Sequence, residues 1–557
     1  MNANTVIIVG GGPVGLGAAL ELARFGVPSI LVEKHERTSW HPKTRNFNTR
    51  TMEIARGWGM GTYQRLRSID CPPGWKTPIR FLESACGQEY GQIDSKGFEG
   101  PGPDVTPAEP TMTSQDRIEE IMVQALRASG LVDLRFSTEA VRLLSGGAEN
   151  DNEVRLEIRN RVTGKTEIIT GCALVAADGA ASSTRDSLGL ELIGQRAVKQ
   201  LVNCYFRADI ESHIKDRTGV LLFVHNEKAT GVLQPLDARG RWLSQINVTP
   251  EQFSLEYFTK DRAAEWVRAA AGIADLEVEV LSLGLWELNA TCVDQFTRGR
   301  VVVCGDAAHQ FPPTGGLGVN TGLQGMHNAM WKLALYALGK AGWGLVRTYH
   351  DERRPVSQSI VMQSFINASN VQRINHAAAT GSESGLTAQQ VVAEARRYGN
   401  HLGVEFGSWY QSDAVIPDGT APTRAEDDYS NYIPSATPGC RAPHIWLGKP
   451  EARLSLIDLF GPSFTLLTGP EGKAWEADVE AARRALNLPI ACYRIGSAGL
   501  QDDGSFERTY EIASDGAVLV RPDAHIAWRA VSHATSGSGL AAVLKKILQG
   551  EHQHAFA

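Results

Sequence analysis

Thr5 to Val9 is a short apolar, β-branched run, Val14 to Phe25 carries apolar residues at helical spacing, and Ser29 to Val32 is strand-like again. Two short strands around one helix predict a βαβ unit at the start of the chain. Further on, Ser114 precedes an amphipathic stretch with Ile118, Ile121, Met122, Ala125 and Leu126 on one face, acids in its first turn and arginine at its end. That distribution suits a capped helix whose dipole meets opposite charge at both ends. Val220 to Val224 and Trp242 to Val248 alternate, predicting antiparallel strands in a middle module, and Val301 to Cys304 reads as a strand returning to the first unit. A helix follows to about Leu338, and Ile360 to about Tyr410 is mostly helical in pattern. Gly97 to Pro110 is dense in glycine and proline and predicts a surface loop or lid, while Pro417 to Pro438 predicts a linker before a last module.

The 557 residues suffice for about three or four domain-sized units. Lysine and arginine number 55 against 62 aspartates and glutamates, a formal charge of −7 that offers nucleic acid no basic surface. The eight cysteines are scattered and none form C-x-x-C, so neither a bound metal nor a redox dithiol is expected. No charged leader precedes the first strand, and no uncharged run approaches the ~20 residues a membrane span needs. A cytoplasmic protein with no membrane partner is the expectation.

The chemistry begins between the first strand and helix. In Gly10-Gly11-Gly12-Pro13-Val14-Gly15, Gly10 permits the tight turn, Gly12 lets a pyrophosphate approach the backbone, and Gly15 lets helix and strand pack closely. The helix start then supplies N–H donors to phosphate. This spacing alone also occurs in loops without a ligand. Here a strand precedes it, a helix follows, and Glu33, with Lys34 beside it, ends the next strand where a carboxylate can accept from ribose hydroxyls, so a bound dinucleotide is predicted. A second constellation runs from Val301 through Cys304-Gly305-Asp306-Ala307-Ala308-His309 and Phe311-Pro312-Pro313-Thr314-Gly315-Gly316 to Leu317-Gly318-Val319-Asn320. An acid directly after a buried strand can bond the polyol of a long cofactor, and a second glycine-rich helix start can face a developing anion. Taken alone, the same run would also serve as an ordinary strand-turn-helix corner.

Gly305 to His309 with Pro312-Pro313 and Gly315-Gly316 resembles the second FAD motif of the single-component flavoprotein aromatic hydroxylases. Asp178-Gly179 with Ser182 and Arg185, after the strand Ala173 to Ala177, resembles their intervening Asp-Gly motif. His41 to Gly59, with Arg45 and Arg50-Thr51-Met52-Glu53, is similar to the segment after their second strand, and Gln115 with Ile118 and Glu119 to the helix start at the flavin ribityl. Pro438 to His444, Asp458 to Gly461, and Leu519 to Asp523 with Trp528-Arg529 resemble the thioredoxin-like terminal domain of the phenol and polyketide hydroxylase branch. The resemblance implies an α/β fold: a discontinuous Rossmann-like FAD-binding domain (1–70, 105–185 and 295–370) interleaved with a β-sheet substrate domain (71–104 and 186–294). A helical segment and linker (371–430) and a thioredoxin-like α/β domain without C-x-x-C (431–557) follow. Packing or oligomerisation is the role expected of that last domain, with a homodimer the assembly in view. Two departures stand out: Gly325 occupies a helix interior where relatives usually carry aspartate, at a cost of ~1 kcal/mol against alanine, and arginine stands near Arg45 where phenol hydroxylases place an acid.

The resemblance further implies FAD as cofactor, NADH or NADPH as reductant, and O2 and a small phenolic or polyketide-like aromatic as substrates. On that resemblance, oxygen would be expected to add at flavin C4a and the hydroperoxide to pass electrophilic oxygen to the ring. Asp306 and Gln115 are expected at the ribityl and phosphates, Asp178 in the cofactor site, the backbone of Gly318, Val319 and Asn320 at the isoalloxazine, and Pro312-Pro313 against its face. Arg45, or its neighbour Arg50, is expected to hold a flavin that moves, and Arg185 to brace its own turn. Substrate candidates on the middle sheet are Phe223, His225, Gln234, Trp242, Gln245 and Asn247, each of which also reads as an ordinary strand residue. His225 could deprotonate a phenol near neutral pH or simply pack beside Phe223. The rival readings are an FAD-dependent oxidase or reductase of the same fold without oxygen transfer, and a non-enzymatic flavin-binding scaffold; the halogenase W-x-W-x-I-P signature is missing.

Overall fold

The first strand, Val6–Val9, pairs parallel with Ser29–Val32 on one side and Ala173–Ala176 on the other. Val132–Arg135 extends one edge and Val301–Val303 the other, both parallel, and Thr297–Arg298 ends the six-stranded sheet antiparallel. In this computed structural model, which describes residues 4–214, 217–449, 452–496, 500–537 and 539–550, the central strands are buried on both faces. Continuous apolar runs in a parallel sheet require such double cover. Helix Pro13–Arg24 packs against both Gln115–Ser129 and Gly318–Ala337 beside it. A three-stranded antiparallel sheet, Thr138–Ser145, Val154–Asn160 and Thr166–Gly171, buries Leu156, Ile158 and Ile169 in the same core. Ser114 is the N-cap residue of Gln115–Ser129, as the pattern predicts, but its hydroxyl is buried without a partner and makes no capping bond, and Gln115 N–H donates to the Thr44 carbonyl.

The middle module is an eight-stranded sheet, ordered His309–Gln310, Glu279–Val293, Leu192–Arg207, Arg241–Asn247, Thr230–Pro235, Leu221–His225, Ile79–Leu82 and Glu89–Ile93. Successive side chains of a strand point to opposite faces. Leu222, Val224, Leu233, Trp242 and Ile246 pack with Trp266 and Val267 of helix Lys260–Ala271 in one core, and the other face is left to the site described below.

Gly97 to Pro110 is no free surface loop, contrary to expectation. Lys96–Glu99 is a helical turn, Phe98 and Ala108 are buried, Thr106 donates to Glu53, and the Pro103 carbonyl accepts the Trp446 indole N–H. The segment wedges the first unit against the tail. Helix Trp343–Thr380 runs through Pro355, and two shorter helices, Ala388–Glu394 and Leu402–Phe406, follow. In the tail the strands are ordered Ile490–Arg494, Phe464–Thr468, Ala517–Val520 and Ile526–Ala530, the first pair parallel and the others antiparallel. With helices Trp475–Leu486, Ser505–Tyr510 and Leu540–Gln549 between and after them, this is the thioredoxin-like βαβαββα order. Among the described residues no helix is long and apolar enough to cross a membrane.

Candidate active site

The first glycine turn divides its labour by position. A Cβ at Gly10, where φ is +108°, would stand 2.2 Å from the Ala177 carbonyl oxygen, and one at Gly15 would stand 1.9 Å from the Gly10 carbonyl oxygen. Both positions take glycine alone. A Cβ at Gly12 would meet nothing within 4 Å, and Gly12, Pro13 and Val14 border a cavity of about 790 Å³. Open space over a helix N-terminus is what a phosphate requires. Glu33 accepts the Gly11 N–H at 2.7 Å and the His35 N–H at 2.9 Å, one on each carboxylate oxygen, which leaves lone pairs for ribose hydroxyls. Lys34 lies beyond this edge, its carbonyl taken by Arg161.

The cavity continues to the second motif. Asp306, just after strand Val301–Val303, faces it; the surface Asp306 exposes is cavity wall, and the surrounding protein raises its carboxyl pKa, partly offset by Lys43. Gln115 accepts the N–H groups of Lys43 and Thr44 at 3.1 Å each and donates to Glu119 at 2.5 Å. Burial pushes Glu119 up to about 7 against the opposing hydrogen bonds from Gln115 and the Ser39 N–H. Pro312, Pro313, Gly318 and Val319 border the cavity. Asn320 does not: its oxygen accepts Asn48 N–H and Thr51 Oγ1, and its nitrogen donates to the Asn46 and Gly316 carbonyls. It braces the loop from behind. Asp178 also turns away, accepting Ser182 Oγ, Thr184 N–H and Thr184 Oγ1, and leaves Gly179 to Ala181 on the wall. Arg185 donates to the Ala180 carbonyl and Asp186 within its own turn.

Arg45 borders the cavity with its guanidinium buried among neutral acceptors: Gln234 Oε1 at 3.1 Å, the Pro235 carbonyl at 2.9 Å, Met112 Sδ, and the Val220 carbonyl. Among the described residues no carboxylate pairs with it, and burial pulls its pKa down to about 10. Arg50 is committed elsewhere, to Glu53 and the Asp523 carbonyl.

The sheet supplies the opposite wall through one parity of its strands: Leu221 and Phe223, Val232 and Gln234, Leu243 and Gln245. Three substrate candidates are therefore corrected. Trp242 points to the other face, fully buried, its ring 6.0 Å from Trp75 and its N–H on Glu211. His225 shares the parity of Phe223 but ends the strand outside the cavity, bonded to Thr230 Oγ1 at 2.9 Å, with its pKa lowered by burial. Asn247, at the end of its strand, is likewise off the wall. Sequence reasoning missed Phe98 and Tyr398, which reach the wall from the wedge and from beyond the long helix; an aromatic amid glycines and prolines was the available signal for Phe98. Among the described residues no group of His, Cys, Asp and Glu is arranged to hold a metal.

Residues 3–364 match the model of the FAD binding domain, and 435–550 that of the aromatic-ring hydroxylase C-terminal domain. The chain is 33% identical to a tetracenomycin A2 monooxygenase-dioxygenase of Streptomyces glaucescens over 98% of its length and 96% of the relative's. A 4-methyl-5-nitrocatechol 5-monooxygenase of a Burkholderia species is also 33% identical, over 94% of this chain and 93% of its own. The flavin-dependent monooxygenase PieE, solved with FAD and substrate, superposes with a TM-score of 0.90 at 32% identity, covering 98% of this chain and 99% of that one. An aklavinone-11 hydroxylase in ternary complex with FAD and aklavinone gives 0.83 at 31% identity over 98% of each chain. With a turn that admits only glycine at its two crowded positions and likeness that extends from the first strand into the tail domain, the chain belongs to the FAD-dependent aromatic-ring hydroxylases.

Proposed function

We propose that the protein hydroxylates a phenolic or polyketide-like aromatic, using FAD, NADH or NADPH, and O2. One observation carries the reading: a single cavity runs from the first glycine turn, past Asp306 and the Pro313 loop, to one face of the eight-stranded sheet. Its volume lies in the upper part of the roughly 300–1,000 Å³ range of cofactor and small-molecule sites. The residues present fit FAD: the Gly12 opening and Glu33 suit its adenosine end, Gln115, Asp306 and the Lys43-Thr44 backbone its middle, and the loop from Pro312 to Val319 its ring system. Bound there, the flavin supplies the electron transfer and oxygen activation that no side chain here can provide.

The chain's own contribution is placement and potential. Phe223, Val232 and Leu243 offer an apolar wall that excludes water, while Gln234 and Gln245 offer amides to orient a hydroxyl or carbonyl of the ring. Arg45 puts positive charge at this wall, and among the described residues no carboxylate pairs with it, which favours the ionised form of a phenol. No histidine base is required, in keeping with the outlying position of His225. The thiols are all free, which supports a reducing compartment and hence the cytoplasm. For assembly we propose a homodimer, resting on a tail domain that has no redox pair, with sedimentation equilibrium as its test.

The test of function is NADH and NADPH oxidation with a panel of phenols and polycyclic aromatics. A substrate should accelerate flavin reduction and yield a product one oxygen heavier. Acceleration with stoichiometric hydrogen peroxide for every compound would favour the oxidase reading, and purified protein unable to acquire FAD would favour a scaffold.

A further inference from the structure

Tyr398 stands just beyond helix Ala388–Glu394, only 3% exposed and on the cavity wall. Its ring meets Phe223 edge to face at 5.6 Å, and Phe223 in turn stacks on Phe81 at 5.2 Å, so the ring is anchored to the sheet. Its oxygen meets the Gly315 N–H of the flavin loop and lies in the field of Arg45. Burial outweighs both and holds the hydroxyl well above the ordinary tyrosine range, so it keeps its proton. Among the described residues no acceptor takes that proton. A phenylalanine would pack on Phe223 equally well without an unmatched O–H. The hydroxyl is matched only when something in the cavity accepts from it.

Arg45 carries the charge here but has little direction left to give. Its Nε donates to Gln234, Nη1 to Pro235 and Met112, and Nη2 to Val220, which uses four of its five N–H groups. Gln234 thereby has its oxygen occupied and only its NH2 to offer. Burial raises the pKa of Cys71 and of Tyr429, the other titratable side chains acting on this pair, and keeps both neutral. One cation and two uncommitted donors, Tyr398 O–H and Gln234 N–H, therefore border the cavity together.

We propose that Tyr398 donates the hydrogen bond that fixes a phenolate oxygen of the substrate beside Arg45. On the hydroxylase reading, on which this rests, Arg45 selects the charge of that oxygen and Tyr398 its place.

The probe is 4-nitrophenol, whose anion absorbs visible light, titrated into the FAD-loaded protein at pH values on both sides of its own pKa. The unaltered protein should prefer the anion, with a bound pKa about one unit or more below the value in water. Tyr398→Phe, which keeps the contact with Phe223, should bind the anion about tenfold more weakly and raise the bound pKa by about one unit, as loss of a hydrogen bond to a charged group implies. Its unfolding midpoint, FAD affinity and phenol-free flavin spectrum should stay the same. With a substrate from the panel, the acid limb of kcat should move up by a similar amount. The same bound pKa in both proteins, or no preference for the anion in the unaltered one, would overturn the proposal. So would a variant that loses FAD or changes its phenol-free flavin spectrum, since the hydroxyl would then serve the flavin. Failure to hydroxylate any aromatic, with 4-nitrophenolate still held through Tyr398, would instead remove the hydroxylase reading alone. Should Tyr398→Phe not fold, Tyr398→3-fluorotyrosine decides. A more acidic donor of nearly the same shape, it should lower the bound pKa further, and an unchanged value would overturn the proposal.

Discussion

Gly12 and Gly15 stand three residues apart in one turn, and alanine should affect them in different ways. At Gly15 the new methyl would overlap the Gly10 carbonyl oxygen, so backbone must move, at a cost of about 3 kcal/mol. At Gly12 it would touch no protein atom and would stand only in the path of the phosphates. Gly12→Ala should therefore leave the apoprotein's unfolding midpoint unchanged while weakening FAD roughly tenfold or more; Gly15→Ala should lower both. Flavin titration and calorimetry of the apoproteins separate the two. Glu119 makes a second residue-scale prediction. Its pKa is raised from the ordinary carboxylate value to about 7 by burial, so the folded protein holds a proton the unfolded chain releases. The sign follows: this contribution is fully present below about pH 4.5 and is lost as pH rises through 7, a swing of roughly 3 kcal/mol. Glu119→Gln keeps the neutral form at every pH, and its unfolding midpoint should fall less than the unaltered protein's between pH 5 and 8. A parallel fall in the two would exclude Glu119 as the source. The glycine roles were legible from spacing because steric limits are local. Glu119's perturbed carboxyl was not, because burial is decided by residues such as Ser39 that the sequence does not place nearby.

At the scale of elements, the middle sheet shows where sequence reading stops. Trp242 and Gln245 are three residues apart on one strand, so alternation puts them on opposite faces whichever face is inward. Choosing the face needs the register and the neighbour: Trp242 packs under helix Lys260–Ala271 and Gln245 faces the cavity. The consequence is measurable. Trp242→Ala should cost about 3–5 kcal/mol of stability, with kcat and KM of the surviving folded enzyme little altered. Gln245→Leu should leave the unfolding midpoint within about 1 °C, in line with the small effect of substitutions that open no cavity and strand no partner. It should instead raise KM for the aromatic or the fraction of reducing equivalents released as peroxide. Equal stability losses for the two variants would mean that both side chains belong to the core. Phe98 and Tyr398 make the complementary point, since they reach the same wall from segments with no strand pattern at all.

For the whole molecule, the question is whether the tail is a separable module, as the linker pattern and the boundary near 431 suggest. The packing argues that it is not. Trp331 and Leu335 of helix Gly318–Ala337 and Leu345 of the next helix lie in one core with Phe464, Trp475, Leu519 and Leu544 of the tail, and Trp331 meets Phe464 edge to face at 5.7 Å. Charge is shared in the same way, for Glu53 of the first unit pairs with Arg441 and Glu352 with Arg521, all four nearly inaccessible to solvent. A chain cut before residue 435 would uncover those apolar side chains and leave two buried carboxylates short of a partner, where losing one partner of a single buried pair already costs about 3–5 kcal/mol. Helix Gly318–Ala337 begins at the flavin loop, so the damage would not remain at the cut. Truncation after residue 434 should thus yield protein that aggregates, binds a hydrophobic dye and retains little FAD. A soluble, FAD-loaded fragment with the full-length unfolding midpoint would instead make the tail an appendage. The cysteines point the same way: Cys440 and Cys492 are pushed up to about 11 by burial, poor nucleophiles near neutral pH. What the thioredoxin-like topology retains here is a second packing surface for the helix that starts at the flavin loop.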